Sequence, residues 1–395
     1  MIGTIYVGHS GMNAYARSLN VISNNVANLN TPGFKYSEAL FSQLLFQSTG
    51  SLSGERGAGV TASRDRTSLK QGVLRSTGNS LDVAIDGDGY FVLDRGGERL
   101  YTRVGQFEFD AEGILVDTRS RARVMVKSDS GAITSFDIDD RRVFPPRATA
   151  KVSLSGTLAR VGTASTFALP QFTVIDSVGG ARTLSATFTR QTDPLVWQVE
   201  VRDPDGAVVG SGSVAFGADG TPKAGANTVA VTLSPAGIPS SSFELHMGEP
   251  GSFTGVTAPP AGTASQLQLQ RQDGVAIGSL TGVDFDDDGR LRLTYSNGET
   301  VDAATLLLAR VASPDQLRSL GSETFVSVGD PPQLGTARSA GLGRTAGGQI
   351  ELSNVELTDQ FTDLIIVQRG YQASSQMISV ANEMLQQLLV LQDRR

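Results

Sequence analysis

The first thirty residues carry large apolar side chains at alternating steps of three and four. This spacing predicts a helix with one narrow apolar seam, of the kind that coiled helices share. The seam consists of Ile5, Met12, Tyr15, Leu19, Ile22, Val26 and Leu29. Apart from Arg17, the helix carries no formal charge, and its polar face is rich in asparagine, a poor helix former. We therefore expect this helix, which Pro32-Gly33 ends, to need neighbours on several sides.

The last part of the chain repeats this pattern with strict seven-residue intervals. A second set of positions follows four residues behind the first. The first set is Leu357, Leu364, Tyr371, Ile378 and Leu385, and the second is Phe361, Gln368, Ser375, Asn382 and Leu389. Such heptads predict a second long helix with a seam. Ser353 followed by Glu356 predicts a capping box at its start.

Both terminal helices lack the charged face that solvates an ordinary surface helix. In the second helix, Glu383 is the only charged residue between Arg369 and Asp393. One interpretation is a hairpin in which the two helices simply pair with each other. The missing charge favours another interpretation, in which the paired ends also pack into an assembly of many subunits. Polar residues at seam positions would then set the register at a cost in stability.

Between the helices the apolar period falls to two, which predicts β-strands. The clearest strand candidates, several of them bounded by Asp-Gly turns, are Leu81–Ile85, Tyr90–Leu93, Tyr101–Phe109, Thr183–Phe188 and Trp197–Val201. Trp197 alternates with valines, so we expect it in a core. A short helix is predicted at Glu38–Phe46, and Pro145-Pro146 marks a boundary between two β-regions.

The composition excludes several classes of function. The 395 residues include no cysteine and two histidines, which excludes disulfides and thiolate chemistry and disfavours a histidine-based metal or catalytic site. A formal net charge of −7 disfavours wholesale electrostatic binding of nucleic acid or of an anionic membrane. No run of 18 apolar residues occurs, so no membrane span is expected. The first residues also lack the pattern of a cleavable secretory signal.

Two groups of aspartates are the candidates for chemistry. Asp284–Asp288 matches the front half of a calcium-binding loop, but the twelfth loop position holds Tyr295, which cannot supply the required carboxylate. Asp82–Asp88 contains three carboxylates, yet Asp-Gly pairs are the usual residues of hairpin turns. We interpret both groups as turns. The sequence therefore predicts no enzyme, no cofactor and no metal site.

Both ends of the chain carry extended motifs. At the amino end, SLNVISNNVAN (Ser18–Asn28) precedes NTPGFK (Asn30–Lys35); at the carboxyl end, ELSNVEL (Glu351–Leu357) precedes QRGYQA (Gln368–Ala373) and NEML (Asn382–Leu385). Together they resemble the two terminal signatures of the flagellar rod and hook proteins. The residues that carry the resemblance are Asn24, Asn25, Asn28, Thr31, Pro32, Gly33, Phe34, Ser353, Asn354, Gln368, Arg369, Tyr371 and Gln372. Gly370 departs from the family, which usually has alanine there.

The resemblance implies a mixed fold, in which the terminal α-helices pair as a coiled coil beside two nested, mostly antiparallel β-domains. The segments it implies are residues 1–30 (first helix), 31–70 (extended linker), 71–147 and 270–350 (the two parts of an inner β-domain), 148–269 (an outer, inserted β-domain) and 351–395 (second helix). The outer domain favours a hook subunit over the shorter distal rod subunit. An extracellular β-rich adhesin with a helical stalk is the more distant alternative.

The resemblance also implies a function, which is mechanical. A subunit of this kind polymerises with copies of itself into the hook, the flexible joint that transmits torque from rod to filament. Its other partners would be the distal rod protein, the hook cap, the hook–filament junction proteins and the flagellar type III export apparatus. The protein would be located in the hook, outside the cell, after export without cleavage.

Overall fold

The computed structural model describes residues 2–43, 59–63, 65–161, 165–260, 264–311, 313 and 316–392. The first elements are α1 (Ile2–Ala27), β1 (Ser37–Glu38), β2 (Phe41–Gln43), β3 (Val60–Ala62), β4 (Arg66–Thr67), β5 (Leu74–Ser76), β6 (Val83–Asp86), β7 (Tyr90–Arg95), β8 (Glu98–Thr102), β9 (Phe107–Phe109), β10 (Leu115–Asp117), β11 (Arg123–Lys127) and β12 (Ile133–Ser135). A single 3-10 turn, Asp139–Arg141, follows.

The regular elements described in the middle of the chain are all strands. Its strands are β13 (Val143–Phe144), β14 (Lys151–Thr157), β15 (Thr166–Ile175), β16 (Ala181–Arg190), β17 (Val196–Arg202), β18 (Val208–Ala215), β19 (Thr228–Leu233), β20 (Ser241–His246), β21 (Val256–Thr257) and β22 (Gln266–Gln272). The chain ends with β23 (Gly278–Phe285), β24 (Arg290–Tyr295), β25 (Thr300–Leu306), β26 (Leu308–Arg310), β27 (Leu317–Gly321), β28 (Thr324–Ser327), β29 (Gln333–Gly335), β30 (Arg344–Gly347), β31 (Gln349–Glu351) and α2 (Leu357–Gln392).

The chain forms two compact units. The helix-bearing unit comprises Met1–Asp139, Val283–Leu293 and Val301–Arg395, and the sandwich unit comprises Asp140–Gly282 and Thr294–Thr300. Two long helices and mostly antiparallel sheets make up the fold, with β14 pairing in parallel to β20 and β21. The finer domain boundaries given by the sequence stay predictions.

The helix-bearing unit is built around antiparallel strands in the order β11-β7-β8-β28-β27. Alternation brings one face of β7 and β8 into a core cluster of Tyr90, Val92, Tyr101, Leu307 and Ala309. The two strands expected on either side of the Asp86–Gly89 turn both form. They do not pair with each other, because β6 pairs with β30 whereas β7 pairs with β8 and β11. The turn therefore connects two sheets.

The sandwich unit contains two sheets that share one core. One sheet has the order β15-β16-β17-β18, and the other has β19-β20-β14-β21 with β22 paired to β14. Inward-facing residues of both sheets form a single apolar cluster. Trp197, which is 1% exposed, lies in this cluster, so the core position expected from its alternation with valines is confirmed.

Two local expectations are wrong. Residues 38–43 do not form a helix: Phe41 pairs with Ala62 and Glu38 with Arg66, so strand pairing overrides the apolar spacing, while residues 44–46 lie outside the described part. The capping box predicted from Ser353 and Glu356 does not form at the start of α2. Helix α2 begins at Leu357, four residues beyond Ser353, whose hydroxyl accepts a hydrogen bond from the Val355 N–H instead.

Candidate functional site

The two long helices of the helix-bearing unit run side by side in opposite directions. The Asn25 amide donates to Gln360 Oε1 at 2.8 Å near one end of the pair. Near the other end, a Cβ added to Gly8 would lie 2.8 Å from Ile378 Cγ1. Between these contacts, a Cβ added to Gly370 would lie 2.5 Å from the Tyr15 ring. A side chain at either glycine would therefore have to displace its neighbour, because the helices approach so closely.

The face of α1 that is most deeply buried contains four small residues beside an isoleucine and an asparagine. Its members are Gly8, Gly11, Ala14, Ser18, Ile22 and Asn25. The remaining residues of the predicted seam are half-buried beside this stripe: Ile5, Met12, Tyr15, Leu19, Val26 and Leu29. Sequence reasoning missed the small residues because it searched for large apolar side chains. The signal that could have found them is the same spacing of three and four among glycine, alanine and serine.

The predicted positions of α2 divide into two groups. Leu364, Ile378 and Leu385 are half-buried, and among the described side chains of the helix Gln360, Val367 and Ala381 are buried. In contrast, the exposed members of the two heptad sets are Leu357, Phe361, Gln368, Tyr371, Ser375 and Asn382. The signature residues Arg369 and Gln372 are exposed as well. The side chain of Leu389 lies outside the described part. Two thirds of the described heptad positions are thus exposed.

Helix α2 exposes an unusual amount of apolar surface. Eight of its described large apolar side chains are between 37% and 60% exposed: Leu357, Phe361, Ile365, Ile366, Tyr371, Met377, Val380 and Met384. Isolated exposed apolar residues are normal, but a continuous set on one element is typical of an interaction surface. Few charges accompany them, because the described part of the helix carries four charged side chains, Asp359, Asp363, Arg369 and Glu383. This surface is the candidate functional site.

The signature asparagines hold the ends of the helices by hydrogen bonds. The Asn25 side chain donates to Ser37 O at 2.8 Å and accepts from Ser37 N at 3.0 Å, which ties α1 to β1. Asn28 donates to the carbonyl oxygen of Asn24 at 2.9 Å and accepts from the Thr31 hydroxyl at 3.1 Å. These bonds satisfy the backbone groups that a helix end leaves free.

The Asn354 side chain forms hydrogen bonds to backbone groups just before α2 begins. Its Oδ1 accepts from Tyr36 N at 2.8 Å, and its amide donates to the carbonyl oxygens of Ser68 and Lys70. Its own N–H donates to Phe34 O. The segment after the first helix and the segment before the second are therefore bound to each other.

Glu351 lies at the centre of a buried ion cluster beneath these segments. Its Oε1 is 2.6 Å from Lys35 Nζ and accepts from Gly72 N at 2.7 Å, and its Oε2 is 2.9 Å from Arg103 Nε. The side chains of all three charged residues are at most 5% exposed. Burial lowers the pKa of Lys35 below its ordinary value, while the neighbouring Glu351 carboxylate opposes that shift.

The turn between α1 and the cluster depends on Gly33. Its φ of 71° lies in the left-handed region, and a Cβ there would lie 2.5 Å from Val104 Cγ2. Its N–H donates to Glu351 O at 2.8 Å. The preceding Pro32 and the following Phe34 are half-buried. The signature motif thus places Lys35 against Glu351.

The aspartates considered for chemistry serve as turn and ion-pair residues. Asp82 accepts from Thr77 and Asn79, and Asp86 forms an ion pair with Arg344, which together with Gln71 lowers the pKa of Asp86. In the second group, Asp286 Oδ1 accepts two backbone N–H groups of its own turn. Within the described ranges, no helix is both long and apolar enough to cross a membrane.

Comparison with known families matches three segments of the chain. Residues 5–35 match the family described as flagella basal body rod protein, residues 84–139 the flagellar hook protein FlgE/F/G D1 domain, and residues 346–391 the flagellar basal body rod FlgEFG protein C-terminal family. The first and last of these segments contain most of α1 and most of α2.

Two curated relatives match along nearly their whole length. The flagellar hook protein FlgE of Treponema pallidum is 30% identical, over 99% of this chain and 100% of the relative. The flagellar hook protein FlgE of Salmonella typhimurium is 28% identical, over 97% and 98% respectively. Among solved structures, the crystal structure of Helicobacter pylori flagellar hook protein FlgE2 aligns with a TM-score of 0.48 at 13% identity, covering 71% of this chain and 99% of that one.

Proposed function

The chain belongs to the flagellar hook protein family, and from that premise we propose that it is the structural subunit that polymerises into the flagellar hook. In this proposal the hook is the flexible joint that transmits torque from the rod to the filament. The activity is mechanical, in keeping with a family of structural proteins. Polymerisation requires each copy to present surfaces that other copies bury.

The observation that carries this proposal is the exposed apolar surface of α2. In the single chain, α2 exposes residues such as Phe361, Ile366 and Met384. When neighbouring copies cover them, the free energy of the assembly falls by about 25 cal/mol for each Å² of apolar area removed from water. We propose that the terminal helices pair as a coiled coil and form the inner layer of the polymer. The β-units would then form weaker contacts that can shift as the hook bends.

The same proposal includes the other partners of the subunit. Copies at the ends of the polymer would contact the distal rod protein, the hook cap and the hook–filament junction proteins. Subunits would reach the tip unfolded, through the flagellar type III export apparatus, without cleavage. The chain has no cysteine that could crosslink on this route.

A distal rod subunit is the second candidate, because two of the matching families are named for rod proteins. The relatives that match over nearly the full chain are named as hook proteins, which favours the hook. Electron microscopy of the native assembly separates the two candidates. A curved tubular polymer supports the hook, and a short straight tube supports the rod.

Substitution of Val380 by aspartate tests the role of the exposed helix surface. Val380 is 48% exposed, so Val380→Asp leaves the single chain folded but places a charge where we expect a neighbour to pack. We expect loss of polymer in cells that produce only this variant, measured by electron microscopy of isolated basal structures.

The matched control is Val208→Asp, since Val208 is 50% exposed on β18 of the sandwich unit. This variant makes the same chemical change at the same exposure, and we expect hooks of normal appearance. Normal hooks from Val380→Asp would show that the α2 surface is not an assembly surface.

A further inference from the structure

A groove lies between the two terminal helices of the helix-bearing unit. It has a volume of about 570 Å³ and runs between α1, the first turns of α2, β1, β2 and residues 70–73. Apolar side chains line it, among them Ile22, Tyr36 and Val367. Four carboxylates and one ammonium group also line it, contributed by Glu38, Glu356, Asp359, Asp363 and Lys70. The lining of this helix groove is therefore part apolar and part polar, and it carries net negative charge.

A ridge of the opposite character lies on α2. Leu357, Phe361, Ile365 and Arg369 follow one another at steps of four, so they form one row on the helix surface. The three apolar members are 41%, 49% and 51% exposed. Arg369 is the only basic residue of α2, it is exposed, and among the described residues no carboxylate pairs with it. This helix ridge is therefore apolar and ends in a positive charge.

We propose that the helix ridge of one copy seats in the helix groove of a second copy, with Arg369 paired to Asp363 of that copy. The proposal rests on the proposed function and names the contact by which the subunits would join. Charge complementarity identifies the occupant: the groove is acidic with apolar parts, and α2 presents an apolar row that ends in a cation. Burial of Phe361 and Ile365 would supply the apolar part of the contact.

Helix geometry prevents a chain from filling its own groove. Asp359 lies two residues from Leu357 and from Phe361, which is about 200° around the helix axis, so groove and ridge lie on different sides of α2. A contact between two different surfaces is heterologous, and it leaves a free ridge and a free groove on the end copies. Such contacts build an open helical polymer when the rotation between copies does not close into a ring, whereas a contact between identical surfaces would stop at a dimer.

Cysteine crosslinking tests the contact directly, because the chain has no cysteine of its own. Ile365→Cys lies on the ridge and Val73→Cys, at a position that is 71% exposed, lies on the lip of the groove. In the assembled full-length double variant, oxidation should give a ladder of dimers, trimers and longer multimers on a non-reducing gel. The matched control pairs Ile365→Cys with Val208→Cys, and we expect no ladder from it.

Charge reversal tests the ion pair. Arg369→Glu should abolish polymer formation, since it adds a carboxylate to an acidic groove, and Asp363→Arg alone should impair it. The double variant Arg369→Glu/Asp363→Arg restores opposite charges across the contact and should polymerise again. The control Arg369→Glu/Glu383→Arg restores the net charge of the helix without restoring the pair, so it should stay unassembled. Circular dichroism verifies that each variant is folded.

Three results would overturn this contact. These are a wild-type-like polymer from Arg369→Glu, equal rescue by the Asp363 and Glu383 reversals, and no crosslink from the Ile365/Val73 pair within assembled polymer. Each of them requires that the unmodified chain polymerises, so each leaves the proposed function standing. An unmodified chain that forms no polymer would instead contradict the proposed function itself.

Discussion

At the scale of single residues, Glu351 joins three segments that are far apart in the chain. It binds Lys35 after the first helix, Arg103 of the β-structure and the backbone of Gly72. The sequence indicated that the region around Lys35 and Glu351 matters, through the two signatures. It could not indicate the ion cluster, because pairing across 316 residues depends on the fold and leaves no periodic pattern.

Removal of the central carboxylate should therefore be costly. Glu351→Gln keeps the side-chain volume but leaves two buried cations without their counter-charge, which we expect to lower the free energy of unfolding by about 3–5 kcal/mol. Urea unfolding followed by the helical circular-dichroism signal measures this change, since both long helices belong to the helix-bearing unit.

The control for this prediction is Glu108→Gln, which removes a carboxylate from an exposed ion pair with Arg121. Exposed pairs contribute little, so the free energy of unfolding should change by less than about 1 kcal/mol. Equal effects of the two substitutions would contradict the role assigned to Glu351.

At the scale of elements, the heptad spacing predicted both long helices but only part of the face by which they meet. The contact surface of α1 is made of residues such as Gly8, Gly11 and Ala14, which a search for large apolar side chains passes over. Such small residues let the backbones approach closely. The predicted helix at Glu38–Phe46 failed for a related reason, because pairing of β2 with β3 outweighs local spacing.

Gly370 tests the close approach of the helices. Gly370→Leu gains roughly 1 kcal/mol of helix propensity, but its Cβ would lie 2.5–2.9 Å from atoms of the Tyr15 ring. We expect the overpacking cost of about 1–3 kcal/mol to exceed the gain, so that the helical signal melts at a lower temperature.

Gly3→Leu is the control, because nothing lies within 4 Å of a Cβ at Gly3. It gains the same propensity without a clash and should leave the melting temperature unchanged or slightly higher. A higher melting temperature for Gly370→Leu would show that the helices separate easily there.

At the scale of the whole molecule, the sequence predicted two helices at the ends and β-structure between them. The apolar period along the chain and the distribution of charge were sufficient for this prediction, since both are properties of long segments. The alternation of Trp197 with valines also identified a true core position. What the sequence did not provide is the division of α2 into a face against α1 and an exposed apolar face. That division makes the single chain incomplete, and it is the central physical reason for assigning it to a polymer.

The central claim is that the exposed face of α2 is buried between copies of this chain. Cryo-electron microscopy of the native polymer, with helical reconstruction, tests it most directly. The expected result is a tube in which neighbouring copies cover Phe361, Ile365, Met377 and Val380. The claim would be contradicted by a polymer in which these side chains face solvent. It would also be contradicted by a polymer in which the contacts between copies do not involve the terminal helices.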